Sequence, residues 1–383
     1  MRILLYMAVT AVAAGSARAD TQTRPYAGVA VEQLYDSNVY NSRGDDAVTR
    51  VSPRVGLIAE RETWRIDSEY KLALHAYAGG TVDNSVNHRA ALTAKLLASP
   101  RLTLGADAVL LIGDDPVLLD RPGVAIPQGG FFDITAHGGL AWRWTRRTTL
   151  SLDYNYRRSR FDLADDPDPL AFDGDEHRLD GVLAWRWTRT LILRGLVRGA
   201  HFVSFGTTTS LGEAVGGGAG LEWRFARSWR ARALGGPLYF SGDDGGAAYF
   251  WGGDVTRLGD NWKIALRGYH DLYGGTSAAQ AVWYETLALD GSVRLMRNLA
   301  FRGRGGVYRG GIAPDGDTNV SGVVGRAELG WLVWKGARLD VFAEQRLQDA
   351  DGGLAFGNIT RTVAGIRLTA VAGLDLLSLG ETL

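Results

Sequence analysis

Apolar and polar positions alternate with period two along most of the chain. Leu150, Leu152, Tyr154 and Tyr156 alternate with Thr149, Ser151, Asp153, Asn155 and Arg157. Trp64, Ile66, Tyr70, Leu72 and Leu74 do so with Arg65, Asp67, Glu69, Lys71 and His75, and Leu339, Val341 and Ala343 with Arg338, Asp340, Phe342 and Glu344. Successive side chains of a strand point to opposite faces, so each run has an apolar face and an ionic one. About 18 such runs fit between Tyr26 and Leu374. Each is long enough to cross a bilayer when tilted, which takes about 9–11 residues.

The connections fall into two kinds. Short polar turns, often flanked by aromatics, are expected at residues 59–64, 97–102, 142–150, 185–191, 223–229, 257–262, 295–299 and 333–339. Longer Gly-, Asp- and Pro-rich connections are expected at 113–130, 161–176, 310–319 and 349–353. Eight short turns are what 18 antiparallel strands need when both chain ends lie on the short-turn side. The pattern therefore predicts an all-β fold: one transmembrane antiparallel β-barrel of about 18 strands, with short periplasmic turns and longer extracellular loops. A soluble sandwich or propeller also alternates, but it scatters aromatics through a core. Here Trp64, Trp142, Trp144, Trp185, Trp187, Trp223, Trp229, Trp262 and Trp331 gather near the short turns, as in a girdle at a lipid–water boundary.

Composition narrows the compartment. The 383 residues contain no Cys, and 42 basic residues balance 42 acidic ones, so neither disulfides nor a nucleic-acid partner is indicated. Residues 1–19 read as a cleavable signal peptide: Arg2, an apolar run, then Ala17-Arg18-Ala19. Residues 20–383 form the barrel, and no later run of about 20 apolar residues supplies a spanning helix. The expected location is the outer membrane, among its lipid and lipopolysaccharide.

Candidate chemistry lies on the ionic face. Pore-lining candidates are Arg143, Arg157, Arg186, Arg194, Arg198, Arg224, Arg230, Arg232, Arg267, Arg302, Arg304 and Arg326, with Asp153, Asp180, Glu222 and Glu328. Basic residues outnumber acidic ones there by roughly two to one, and low-dielectric walls would focus the resulting field on anionic solutes. The same residues would also stiffen the wall by pairing across strands, for example Asp180 with Arg194 or Glu328 with Arg302. The acidic loops match no calcium-loop spacing, so no metal or other cofactor is expected. The loops 113–130 and 161–176 are the expected constrictions. The six His are dispersed, and the neighbours His270-Asp271 and Glu176-His177 point to opposite faces of a strand, so no enzyme is expected. Gly216-Gly217-Gly218-Ala219-Gly220 reads as close approach or curvature of the wall, and Gly235-Gly236-Pro237 as a bulge or kink.

Tyr35-Asp36-Ser37-Asn38-Val39-Tyr40, followed by Val51-Ser52-Pro53-Arg54-Val55-Gly56-Leu57, resembles the start of a family of outer-membrane β-barrel porins. Related barrels are associated with exopolysaccharide export. The match covers the first hairpin, and the chain departs from the usual pattern by not ending on Phe or Trp. The resemblance implies a channel that translocates a secreted polysaccharide, with a polysaccharide cargo, a periplasmic export component and inward tyrosines (Tyr77, Tyr269, Tyr273, Tyr308) to stack on sugars. The alternatives are a diffusion porin for small, preferably anionic solutes, and a closed structural or adhesion barrel.

Overall fold

The computed structural model describes residues 21–39, 44–80, 82–114, 129–162, 173–205, 209–241, 245–273, 282–312, 320–350 and 358–373. The signal peptide expected at 1–19, the chain end after Gly373 and most of the expected loops lie outside the described residues.

Eighteen strands form one closed sheet in which sequence neighbours are spatial neighbours. They are β1 (Gln22–Asp36), β2 (Asp46–Arg61), β3 (Trp64–Tyr77), β4 (Ser85–Ser99), β5 (Leu102–Gly113), β6 (Gly130–Trp142), β7 (Thr148–Asp162), β8 (Asp173–Arg186), β9 (Leu191–Phe205), β10 (Thr209–Ala226), β11 (Trp229–Ser241), β12 (Gly246–Leu258), β13 (Trp262–Tyr273), β14 (Val282–Met296), β15 (Leu299–Ile312), β16 (Val320–Trp334), β17 (Ala337–Ala350) and β18 (Ile359–Ala372). β1 pairs antiparallel with β2 and also with β18, from Ala27↔Ala372 to Asp36↔Val363. This closure pairs the main-chain groups that lipid cannot hydrate around the ring, the outer ends of β12 and β13 excepted. No helix among the described residues is long and apolar enough to cross a membrane; the chain crosses with strands.

The eight tight turns stand where the sequence places them. Thr145 and Thr188 show why they are tight. The Thr145 hydroxyl accepts the amides of Arg147 (3.1 Å) and Thr148 (3.0 Å), and the Thr188 hydroxyl accepts those of Thr190 (3.1 Å) and Leu191 (3.0 Å). A short side chain thus replaces the ladder for two amides at each bend. The strands run further than the alternation alone indicated. β7 reaches Asp162 and β8 begins at Asp173, so both ends of the loop expected at 161–176 belong to the wall. Where both faces are wet the apolar beat fades, yet the backbone ladder continues because pairing still satisfies its amides.

Exposure is inverted relative to a water-soluble protein. Val197 is 67% exposed and Trp187 56%, whereas Asp36 is 2% and Asp340 3%. The apolar face points outward and the ionic face inward, where side chains from a closed ring crowd one another.

β10 and β11 come into close contact at Gly218. A Cβ on Gly218 would stand 2.5 Å from the Gly235 carbonyl and 2.9 Å from Phe250 Cζ, so only glycine permits this approach. Register pairs are missing between Gly216↔Leu238 and Ala219↔Gly235, but the register is the same on both sides. Gly235-Gly236-Pro237 therefore interrupts the ladder to β10 without a bulge, because Pro237 lacks an amide and no residue is inserted.

Candidate functional site: the lumen

The outer ends of β12 and β13 part. Their ladder runs only from Leu258↔Lys263 to Trp251↔His270. Above it, β12 stays with β11 up to Phe240↔Gly246, and β13 stays with β14 up to Tyr273↔Val282. The freed end of the β13–β14 hairpin lies inside the barrel. Leu272 and its register partner Trp283 are buried in one cluster with Leu196, Phe202, Ala214, Leu238, Phe240 and Phe250, which come from the inward faces of β9 to β12.

Charge ties the same hairpin across the lumen. Arg198 on β9 donates to Asp271 on β13 at 2.8 Å and to Asp180 on β8 at 2.7 Å. Arg178 on β8 donates to Asp271 at 3.0 Å and to the Leu272 carbonyl at 2.6 Å. Strands four places apart are separated by roughly 19 Å of wall, so these bonds require the end of β13 to leave the wall. His270 points away from its neighbour Asp271 and stacks on Tyr249, with ring centroids 4.3 Å apart. The result is a constriction built of strand. The loops 113–130 and 161–176, the constrictions expected from the sequence, lie outside the described residues except at their edges. A readable signal existed: Leu196, Phe202, Leu238, Phe240 and Phe250 are bulky apolar residues at positions whose parity is otherwise ionic.

A second charged region lies on β13 to β18, nearer the short turns. Glu328 gathers Arg338 (2.9 Å), Arg326 and Arg367 (both 3.2 Å) and Arg302 (3.8 Å). Asp340 takes Arg338 at 2.6 Å and Arg367 at 3.4 Å. Asp290 stands between Arg267 (3.5 Å) and Arg304 (3.7 Å).

The remaining sequence candidates sort by their ladders. Arg157 donates to Asp133 at 3.0 Å, Arg194 to Glu222 at 2.7 Å, and Asp153 faces His137 at 3.4 Å, with Asp107 on the other ring nitrogen at 3.1 Å. Arg232 binds Asp254, and Arg230 reaches it at 3.9 Å. Arg224 stands 3.6 Å from Glu222. Arg143 follows the last residue of β6 and Arg186 ends β8, so the structure puts both at the exposed turn end and not in the body of the wall. The expected pairing of Asp180 with Arg194 does not form: the register sets Asp180 opposite Arg198 and Ala184 opposite Arg194. Glu328 and Arg302 are register partners as expected. Tyr308 is buried and donates to Gln348 at 2.7 Å, which occupies its hydroxyl. The side chain of Tyr273 lies outside the described residues.

The outer belt ends in indoles at the short turns. Trp142 and Trp144 lie 6.4 Å apart, and Trp185 and Trp187 5.4 Å apart. Trp223 and Trp331 are exposed on the same edge, while Trp64, Trp229 and Trp262 are half-buried first residues of strands. An apolar belt with indoles at its rim is the surface that lipid demands. The protein is an outer-membrane β-barrel.

No protein-family model matches the sequence, and no curated protein matches it. Among solved structures, the chain is similar to the outer membrane protein opdK from Pseudomonas aeruginosa (TM-score 0.46, 10% identity, 91% of this chain and 98% of that one). It is also similar to OccK2 (OpdF) from the same organism, in complex with glucuronate (0.48, 11%, 93% and 98%). A BenF-like porin from Pseudomonas fluorescens Pf-5 is at a similar distance (0.48, 10%, 92% and 99%).

Proposed function

We propose that the barrel is a diffusion channel for small, preferably anionic solutes. The observation that carries this reading is the inward end of the β13–β14 hairpin, held at Asp271 by Arg178 and Arg198. A strand folded into the lumen and fixed by two charged bonds leaves a narrowed path, which suits small solutes. A polysaccharide chain, the cargo implied by the sequence resemblance, needs a wide path along the whole wall. The arginine excess on β13 to β18 supplies the preference for anions, because the apolar wall and surrounding lipid concentrate its field in the aqueous lumen.

The test is reconstitution of purified protein in planar bilayers under a potassium chloride gradient. Discrete current steps are expected, with a reversal potential on the chloride side. Absence of steps would instead support a closed barrel. A deletion strain that lost extracellular polysaccharide while the reconstituted protein passed oligosaccharides would restore the export reading.

A further inference from the structure

Five cationic side chains converge on one lumenal recess in the short-turn half of the barrel. The recess has a volume of about 300 Å³ and is lined by Lys263 and Arg267 of β13, Arg302 and Arg304 of β15 and Arg326 of β16, with Asp290, Ser292 and Glu328. That is room for on the order of ten waters, more than a bare ion needs. Only two carboxylates line the recess with the five cations, and a third, Glu344, reaches Arg326 from outside it at 3.3 Å.

Neither carboxylate neutralises its neighbours. Asp290 is shared by Arg267 at 3.5 Å and Arg304 at 3.7 Å, distances of ion pairs without hydrogen bonds. Glu328 is shared by four arginines, two of which, Arg338 and Arg367, lie outside the recess. Arg302 reaches Glu328 only at 3.8 Å, and its buried Nη2 has no hydrogen-bond partner. Among the described residues, no carboxylate pairs with Lys263. A buried guanidinium N–H without an acceptor is costly, as are crowded like charges, and one ligand relieves both.

We infer that this recess is a binding site for a small dianion, a dicarboxylate or a phosphate, within the channel proposed above. Two acidic groups match it better than one. Arg302 and Arg304 alternate with outward residues on β15, and Arg267 and Arg326 approach from either side, so separate guanidinium forks face the recess. The inference rests on the channel reading for its role in transport, but binding can be measured without transport.

The experiment is isothermal titration calorimetry of the full barrel in detergent micelles at pH 8, with succinate, inorganic phosphate and acetate as separate probes. Saturable binding of succinate or of phosphate is expected, with acetate much weaker; which of the two binds tighter distinguishes a dicarboxylate site from a phosphate site. R302Q/R304Q should weaken binding about tenfold or more, since charge-assisted contacts are lost. R54Q, which alters a lumenal arginine paired with Glu69 on another part of the wall, should leave binding unchanged. No saturable heat, acetate binding as tight as succinate, or equal loss in R54Q and R302Q/R304Q would overturn the site. A barrel that binds succinate but carries no current would retain the site and lose the channel reading.

Discussion

Arg198 on β9 and Asp271 on β13 are bonded at 2.8 Å although three strands stand between them in the wall. The contact exists because the β12–β13 ladder stops at Trp251↔His270 and the end of β13 turns inward over Phe250. The Arg198 guanidinium also lies 4.8 Å above the Phe250 ring, so the tie is both ionic and apolar. The apolar cluster and the charge pair thus act on one hairpin.

Asp271→Asn should release this hairpin. Two charge-assisted bonds weaken together, for a stability loss of about 2 kcal/mol. Open-channel conductance should rise. Urea unfolding and planar-bilayer recordings read the two effects; unchanged conductance would mean that packing of Leu272 and Trp283 holds the hairpin without the ion pairs.

Leu152→Arg and Ser151→Arg separate the two faces of one strand. On the lipid face an arginine should cost about 2–4 kcal/mol near the midplane, while on the lumenal face it should leave stability nearly unchanged and shift ion selectivity. Equal losses in urea midpoint at both positions would contradict the assigned facing.

Asp36→Ala should strike the closure of the ring. Asp36 of β1 is 2% exposed and takes Arg361 of β18 through Nε at 3.0 Å and Nη2 at 2.5 Å. Removing the carboxylate leaves a guanidinium that has lost its bidentate partner, a loss of about 3–5 kcal/mol. Folding into detergent micelles, followed by resistance to trypsin, should slow or fail. Full resistance at the wild-type rate would show that the β1–β18 ladder closes the barrel unaided.

Gly218→Val should disturb the close approach of β10 and β11. The added Cβ meets the Gly235 carbonyl, which is backbone and cannot swing aside. Overpacking of this kind costs about 1–3 kcal/mol. Gly105→Val is the control, since its Cβ would meet nothing within 4 Å. Thermal melts in detergent should lower the midpoint for the first variant and leave the second close to wild type.

The alternation of residues such as Leu152 and Asp153 determined by itself that strands separate two solvents, about how many strands there are, where the tight turns fall and which residues of a strand share a face. Those features depend on neighbours in sequence, because strand periodicity and turn chemistry are local. Tertiary structure alone decided that Asp180 meets Arg198 and not Arg194, that Asp271 leaves the wall, and that five cations converge beside Asp290 and Glu328. Each of those depends on the register between distant segments and on where a ladder ends, and the balance is set by packing inside the closed ring, which no single strand encodes.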